Sequence, residues 1–251
     1  MLLAVDIGNS STKFGSFDGE NLVSKFSIQT DRDAGAAFIS DEVAGRLNQT
    51  FEAVIVASVV PEVRPALREY LQLEHNIDPI FVDHDFDFGL KINYEPIISA
   101  GIDRLVNASA ASAKYGKPCI VCSFGTATTI DAVSKDGEFL GGIIAPGMRT
   151  MVKALHIAAS KLPEVEIEKP ETVLGHSTVA SIRSGIFYGY IGLVEGLISR
   201  IRSILPPAPV IATGGFAGTV ATEVETIEIV DNDLTLDGLR MLYLRHENEQ
   251  N

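Results

Sequence analysis

A short pattern occurs twice in this chain, 117 positions apart. The first copy spans Asp6–Lys13 and is followed by an Asp-Gly pair at 18–19; the second spans Ser123–Asp131 and is followed by an Asp-Gly pair at 136–137. Each copy follows an apolar run and has a glycine at its third position. The pattern predicts a strand, a tight glycine turn, a second strand, an Asp-Gly turn and a third strand in both places. We therefore expect two related halves that each begin with a β-meander.

The rest of the chain alternates between helix-like and strand-like segments, so we expect an α/β protein. At 251 residues the chain is long enough for two halves, and we place them at residues 1–115 and 116–251. A small-residue helix over Gly101–Tyr115 is predicted to join them. Further helices are predicted over about 34–47, 61–71, from 148, 178–204 and from 235, and further strands over 51–60, 79–82, 210–212 and 227–230.

Charge and hydropathy exclude several classes of protein. The chain has 20 Lys and Arg against 33 Asp and Glu, a net charge of −13. Binding to a nucleic-acid backbone needs clusters of cations, so no nucleic-acid partner is expected. No apolar stretch reaches the roughly 20 residues that span a bilayer, and no basic leader follows Met1. We expect a cytoplasmic protein that does not bind a membrane.

The two cysteines, Cys119 and Cys122, have the spacing of a redox or metal-binding pair. They stand in a strand-like run, where an odd offset directs the two side chains to opposite faces. A redox pair normally opens a helix, and a zinc site needs further ligands. Buried, reduced thiols are therefore expected.

The first copy of the repeat has the chemistry of a phosphate-binding turn. Gly8 permits a tight turn after the strand, and the next residues offer hydroxyl, amide and backbone N–H donors to phosphate oxygens. Lys13 adds a positive charge, and Asp6 could hold magnesium together with phosphates. The full candidate set is Asp6, Gly8, Asn9, Ser10, Ser11, Thr12 and Lys13. A polar hairpin without a ligand is the alternative, but its repetition within one chain favours a ligand. The sequence contains no other phosphate-loop motif.

The second copy differs at its first position, where Ser123 aligns with Asp6. Serine forms hydrogen bonds but cannot hold a cation electrostatically. Asp131 does not replace it, because it lies further along the next strand. Thr126 is the candidate ligand-binding residue of this turn.

Two other motifs could contact ligands. In Gly101-Ile102-Asp103-Arg104, a carboxylate at a helix start could accept a proton from a substrate hydroxyl, and Arg104 could bind an anion. An N-terminal cap with a surface ion pair is the alternative. Gly214 and Gly215 follow a buried strand and could admit a flat ligand such as adenine, or simply let a helix start nearby.

With these motifs the chain resembles the type III pantothenate kinases of the actin-like, sugar-kinase and Hsp70 ATPase superfamily. The resemblance covers nearly the whole length. It rests on six motifs in order: Asp6–Ser10, Gly101–Arg104, Gly125–Thr129, Gly141–Gly147, Gly175–Thr178 and Thr213–Gly215. It implies a duplicated actin-like (ribonuclease H-like) fold, with mixed sheets flanked by helices around a central cleft.

The resemblance also implies an activity and residue roles. The activity is ATP-dependent phosphorylation of pantothenate, the first step towards coenzyme A. The Asp6–Lys13 turn would hold ATP phosphates with Mg²⁺, Thr126 would contact ATP, and Asp103 would be the general base. The substrate site would comprise Tyr94, Gly101, Ile102, Asp103, Arg104 and Thr178. The family implies a homodimer, with Thr178 reaching pantothenate across the interface.

One position departs from the family pattern. Members usually carry Asp where this chain has Ser123, and that Asp binds K⁺ or NH₄⁺. The cation site could be lost while activity persists, it could be rebuilt from water and other ligands, or the protein could be a weak or inactive paralogue that binds nucleotide or pantothenate. A superfamily kinase for another small alcohol, such as a sugar, is a third hypothesis, which the short chain and the Gly-x-Asp-Arg motif disfavour.

Overall fold

The computed structural model describes residues 1–33 and 35–250. The chain divides into two compact units. The first, unit 1, comprises Met1–Ala113 and Asp233–Asn251, and the second, unit 2, comprises Lys114–Asn232.

Unit 1 contains a mixed five-stranded sheet with the order β3-β2-β1-β4-β5. Strands β1, β2 and β3 form the predicted antiparallel meander, and β4 and β5 extend it in parallel. The strands of this sheet are β1 Leu2–Ile7, β2 Ser11–Asp18, β3 Asn21–Gln29, β4 Ala53–Ser58 and β5 Ile80–Phe81. The helices are α1 Ala36–Val43, α2 Arg64–His75, α3 Ile102–Tyr115, whose last residues lie in unit 2, and α7 Leu234–Gln250. A short strand, β6 Lys91–Ile92, and two 3₁₀ turns, Pro61–Val63 and Ile97–Ser99, complete the elements.

The core of unit 1 follows from the alternation of side chains along its central strand. Leu3, Val5 and Ile7 point to one face, where they pack with apolar residues of α1 and α2. Helix α7 contacts β1, β2 and β4. The sheet is therefore covered by helices, and its parallel strands β1 and β4 are almost continuously apolar, as expected for buried parallel strands.

Unit 2 repeats this topology. Its five strands have the order β11-β10-β7-β8-β9, with an antiparallel meander extended by two parallel strands. The strands are β7 Cys119–Phe124, β8 Ala127–Val133, β9 Glu138–Pro146, β10 Val210–Thr213 and β11 Ile229–Val230. The helices are α4 Met148–Ala158, α5 Thr178–Arg202 and α6 Ala217–Ala221. The matching strand orders confirm the predicted duplication.

The long helix α5 covers one face of the unit 2 sheet. Its apolar residues, among them Phe187, Tyr190 and Val194, share a buried cluster with Ile120 and Cys122 of β7. Both cysteines are free and buried, which confirms their interpretation as reduced thiols. Burial raises the pKa of the Cys119 thiol to about 12 and also raises that of Cys122. No helix in residues 1–33 and 35–250 has the length and apolar character needed to cross a bilayer.

The structure differs from the sequence prediction at the C-terminus. The sequence places this last helix in the half 116–251, yet α7 belongs to unit 1. Thr235 donates a hydrogen bond to the Asn107 side chain of α3 over 2.8 Å, and a Cβ on Gly238 would come within 2.7 Å of Val106. Such close packing depends on long-range contacts that local sequence patterns do not reveal.

Other differences are smaller. Helix α1 begins at Ala36, and its predicted start at residue 34 lies outside the described residues. Helix α2 continues to His75, where Asn76 takes a left-handed conformation (φ 55°) that ends the helix. Helix α6 was not predicted, because its five residues are too few for a helical periodicity to stand out.

Candidate active site

The glycine turn of unit 1 joins β1 to β2 and is stabilised by a backbone hydrogen bond. The Gly8 N–H donates to the Ser11 carbonyl over 3.1 Å, which closes the turn between β1 and β2. A Cβ on Gly8 would lie 3.2 Å from that same oxygen, so glycine fits the turn best. Asn9 and Ser10 are exposed at the tip, whereas Thr12 is buried beneath it. The polar groups of Asn9 and Ser10 therefore stand where a ligand could reach them.

Two residues that sequence inspection missed support this turn. Thr30, after β3, donates to the Gly8 carbonyl over 2.8 Å and lies 3.0 Å from the Thr12 hydroxyl. Arg32 donates to the Asn9 side chain over 2.8 Å. Arg32 thus brings a second positive charge to the turn, besides Lys13. Only the folding back of β3 along β2 brings these residues here, so the local motif gave no signal for them.

A carboxylate and an ammonium group face each other below the turn. Asp6 and Lys13 are cross-strand partners in β1 and β2, and Lys13 Nζ lies 4.0 Å from Asp6 Oδ2. Burial raises the pKa of Asp6 to about 6, the charge of Lys13 opposes that rise, and the charge of Asp103 adds to it. The charge of Lys13 also lowers the pKa of Asp103, so Lys13 lies within electrostatic range of both carboxylates.

Asp103 lies in the first turn of α3, as the sequence predicted. Burial raises the pKa of its carboxyl, whereas the backbone N–H of Arg104 and the charges of Arg104 and Lys13 act in the opposite direction. A Cβ on Gly101 would lie only 2.6 Å from Asp103 Oδ1. Glycine at this position therefore leaves the space that the carboxylate occupies.

Arg104 is buried and packs against Tyr94. Its guanidinium carbon is 5.4 Å from the centre of the Tyr94 ring, and its Nη1 donates to the Tyr94 hydroxyl over 3.4 Å. Stacking on an aromatic face orients a guanidinium group. Ile102 is buried at the start of α3. The structure thus brings together the candidate substrate residues of unit 1.

The glycine turn of unit 2 is one residue shorter than that of unit 1. In unit 1 the last paired residues before and after the turn are Ile7 and Thr12, whereas in unit 2 they are Phe124 and Thr128. The Gly125 N–H donates to the Ala127 carbonyl over 3.1 Å. The strand partner of Ser123 is consequently Thr129, so two hydroxyl groups stand where unit 1 has Asp6 and Lys13. Equal spacing in the sequence had aligned Thr129 with Thr12.

The backbone around Thr126 is fixed by the start of α4. The Gly147 N–H and the Thr150 hydroxyl donate to the Thr126 carbonyl over 3.0 and 2.6 Å. A Cβ on Gly147 would lie 2.1 Å from the Gly125 carbonyl oxygen, so only glycine permits this approach. The Thr126 side chain itself is exposed.

Gly214 lies close to the end of β7. Its φ of +95° favours glycine, and a Cβ there would lie 2.7 Å from the Phe124 carbonyl oxygen. The Phe216 N–H donates to that carbonyl over 3.3 Å. Gly214 and Gly215 therefore form a turn directly beside the Gly125–Thr126 turn, within one unit.

Thr178 is the first residue of α5 and is exposed. The Ser177 side chain caps this helix by accepting from the Ala180 N–H over 3.2 Å. Thr178 is thus presented at a well-formed helix start in unit 2.

The candidate metal ligand of this site is the carboxylate of Asp6. Within the part of the chain that the structure describes, no three His, Cys, Asp or Glu residues are grouped to hold one. The carboxylate of Asp6 beside a turn rich in donors does fit an ion shared with phosphate oxygens, since Mg²⁺ usually binds one or two carboxylates and substrate phosphates.

Comparison with known sequences gives a consistent result over nearly the whole chain. The family model described as type III pantothenate kinase matches residues 2–200. A type III pantothenate kinase of Syntrophotalea carbinolica is 42% identical over 254 residues, covering 98% of this chain and 100% of that protein. One from an Exiguobacterium species is 40% identical over 253 residues, again covering 98% and 100%.

Solved structures agree on the fold. The activator of 2-hydroxyisocaproyl-CoA dehydratase from Clostridium difficile, with bound ADPNP, superposes with a TM-score of 0.55 at 14% identity, covering 99% of this chain and 96% of that one. The inorganic polyphosphate/ATP-glucomannokinase from an Arthrobacter species gives a TM-score of 0.51 at 15% identity, with 98% and 99% covered. The predicted actin-like fold is confirmed by these likenesses together with the duplicated topology.

Proposed function

Because the chain belongs to the type III pantothenate kinase family, we propose that it transfers the γ-phosphoryl group of ATP to the primary hydroxyl of pantothenate. The product, 4′-phosphopantothenate, leads to coenzyme A. The observation that carries the proposal within the molecule is the pairing of Asp6 with Lys13 beneath the glycine turn of unit 1, where the charge of Asp103 also acts. Phosphoryl transfer depends mainly on positioning and charge neutralisation, and these residues provide both.

Asp103 is proposed as the general base. Its carboxylate would accept the proton of the attacking hydroxyl, and a raised pKa makes it a better acceptor at neutral pH than an ordinary carboxylate. Arg104, oriented by the Tyr94 ring, would bind an anionic part of the substrate. Gly101 and Ile102 would line the same site.

The turn from Asp6 to Lys13 is proposed to bind the phosphates of ATP. Lys13 would neutralise phosphate charge, and the tip residues would donate hydrogen bonds to phosphate oxygens. Mg²⁺, when bound with ATP beside Asp6, would supply further neutralisation of the transferred group. In unit 2, Thr126 and the Gly214–Gly215 turn are proposed to contact other parts of the nucleotide.

We also propose that the protein forms a homodimer through α5. Gly185, Gly189 and Gly192 on this helix have open space where a Cβ would stand. Ile144 and Val179 are exposed apolar residues of the same unit, at 62% and 39% of their surface. Since small residues allow helices to approach closely, this surface suits a second copy of the chain. Light scattering of the purified protein and of Gly189→Glu tests this: a dimer that Gly189→Glu leaves intact would contradict the use of this face.

The decisive experiment is a phosphorylation assay on a panel of small alcohols. We expect ATP-dependent formation of 4′-phosphopantothenate and no comparable activity on sugars. Phosphorylation of a sugar but not pantothenate would contradict the proposal, and so would binding of ATP and pantothenate without turnover. The second result is what an inactive paralogue predicts, and the presence of Asp6, Lys13, Asp103 and Arg104 weighs against it.

We propose further that potassium stimulates this protein weakly or not at all, because Ser123 cannot supply the charge that holds a monovalent cation. Running the same assay with and without K⁺, at constant ionic strength, tests this directly. A steep potassium requirement would contradict it.

A further inference from the structure

A histidine outside the candidate site contacts the segment that leads into α3. His84 Nε2 lies 2.8 Å from the carbonyl oxygen of Ala100, sixteen residues further along the chain. A carbonyl oxygen only accepts hydrogen bonds, so the imidazole must donate from Nε2. Ala100 is buried, with 2% of its surface exposed. Its carbonyl therefore depends on protein donors rather than on water.

The histidine end of this contact is anchored in the core of unit 1. His84 follows Val82, which is fully buried and whose N–H donates to the Val56 carbonyl of β4 over 2.9 Å. Asp83 orders the following turn, because its side chain accepts from the Asp85 N–H over 3.1 Å. His84 thus lies just after the edge strand β5, in a segment that these two hydrogen bonds hold against the sheet.

The other end of the contact adjoins the proposed base. Ala100 immediately precedes Gly101, whose carbonyl accepts the N–H groups of Arg104 and Leu105 over 3.1 and 3.2 Å. These bonds form the first turn of α3, which carries Asp103. Since a Cβ on Gly101 would stand 2.6 Å from Asp103 Oδ1, the backbone at Gly101 and the carboxylate are in close contact. A displacement of this segment would therefore move the carboxylate.

We propose that His84 is a positioning residue, which fixes the carboxylate of Asp103 relative to Asp6 and Lys13 through the Ala100 carbonyl. The proposal rests on the proposed function, because it takes Asp103 as the base. A reacting group displaced by about 1 Å can lose on the order of 100-fold in rate. The rate of phosphoryl transfer should therefore respond to the loss of this one hydrogen bond more than ATP binding does.

Substitutions of His84 can separate positioning from general stability. His84→Ala removes the donor, whereas His84→Gln places an amide nitrogen at about the distance of imidazole Nε2. His84→Asn places it too close to the backbone to reach Ala100. His156 offers a matched control in unit 2, because its Nδ1 lies 2.7 Å from the Leu162 carbonyl.

We expect His84→Ala and His84→Asn to lower kcat by roughly 10- to 100-fold. KM for ATP should stay within about twofold, because the Asp6–Lys13 turn is untouched, and His84→Gln should recover most of kcat. His156→Ala should retain the wild-type kcat. Hydrogen exchange of the Arg104 and Leu105 amides should accelerate in His84→Ala and His84→Asn only.

The outcomes separate this proposal from the proposed function. A wild-type protein that does not phosphorylate pantothenate contradicts the proposed function. An active wild type with an unchanged kcat in His84→Ala overturns the positioning role, as does a His84→Gln variant no better than His84→Asn at equal melting temperature. If His84→Ala does not fold, the comparison of Gln with Asn decides the question.

Discussion

The glycine turns of the two units share a topology but differ in charge. In unit 1 the strand partners below the turn are Asp6 and Lys13, which carry opposite charges. Lys13 Nζ lies 4.0 Å from Asp6 Oδ2. In unit 2 the corresponding partners are Ser123 and Thr129, which are both neutral. The unit 2 turn is also one residue shorter, and its backbone is packed against Gly147.

This difference indicates that the two copies of the turn have different chemical roles. A duplicated element keeps its backbone because the meander is stabilised by strand pairing, whichever residues stand at its end. The residues at the turn are then free to diverge. Unit 1 has charged groups below its turn, which the proposed function assigns to phosphoryl transfer, and unit 2 has a neutral turn suited to hydrogen bonding.

The substitution with the largest expected effect tests whether a residue of unit 1 acts as the general base in phosphoryl transfer. Asp103→Asn removes the proposed base without changing the size of the side chain, so we expect kcat to fall by about 10²–10⁴-fold. ATP affinity, measured by calorimetry, should change little. Asp18→Asn, at the exposed Asp-Gly turn of the same unit, is the control and should keep full activity. Unchanged turnover in Asp103→Asn would remove Asp103 from the base role.

The buried charge of Asp6 in unit 1 is expected to lower the stability of the fold. The pKa of Asp6 is raised by burial from 3.8 to about 6, so below pH 3.8 the carboxyl is protonated in both folded and unfolded chains. As the pH rises through 6, the folded protein must ionise a buried group, and stability is lost. Asp6→Asn should therefore raise the free energy of unfolding at pH 8 by up to roughly 3 kcal/mol.

Urea denaturation between pH 4 and pH 8 measures this effect. The wild type should lose stability relative to Asp6→Asn across this range, and the two should converge towards pH 4. A variant that is less stable than the wild type at pH 8 would show that the ionised carboxylate is favourable in the fold. Activity should fall in Asp6→Asn all the same.

An added Cβ is expected to destabilise the protein more at the unit 2 turn than at the unit 1 turn. Gly147→Ala places a Cβ 2.1 Å from the Gly125 carbonyl oxygen, and neither atom can rotate away. Such overpacking typically costs about 1–3 kcal/mol. In unit 1 the corresponding test is Gly8→Ala, where the nearest atom is 3.2 Å away, and the loss should be smaller. Thermal unfolding of both variants ranks them, and the reverse order would contradict this comparison.

The substitution with the smallest expected effect makes the two turns more alike. Ser123→Asp restores a carboxylate at the position that aligns with Asp6. Because the added charge can hold a monovalent cation, potassium should then stimulate turnover, whereas the wild type should respond weakly or not at all. Ser123→Asn has the same shape without the charge and should show no such response. Equal potassium responses in Ser123→Asp and the wild type would exclude a role for charge at this position.

Much of the fold followed from local patterns. The two meanders were predicted because alternating apolar runs end at glycine and Asp-Gly turns, and both turn types depend on nearby residues. The start of α5 at Thr178 and the start of α3 beside Asp103 were likewise close to prediction. The helix α7 was predicted as a helix, yet its place in unit 1 depends on contacts with Val106 and Asn107, far away in sequence.

The sequence by itself determined the duplication, the family and the residue types at each turn, because these depend on order and spacing along the chain. Only the tertiary structure decided which of these residues meet. Lys13 faces Asp6 through strand register, and Arg32 and Thr30 reach the first turn through the path of β3. His84 contacts Ala100 because the segment between them folds back within unit 1. Each contact depends on how strands and helices pack in three dimensions, which a one-dimensional motif does not encode.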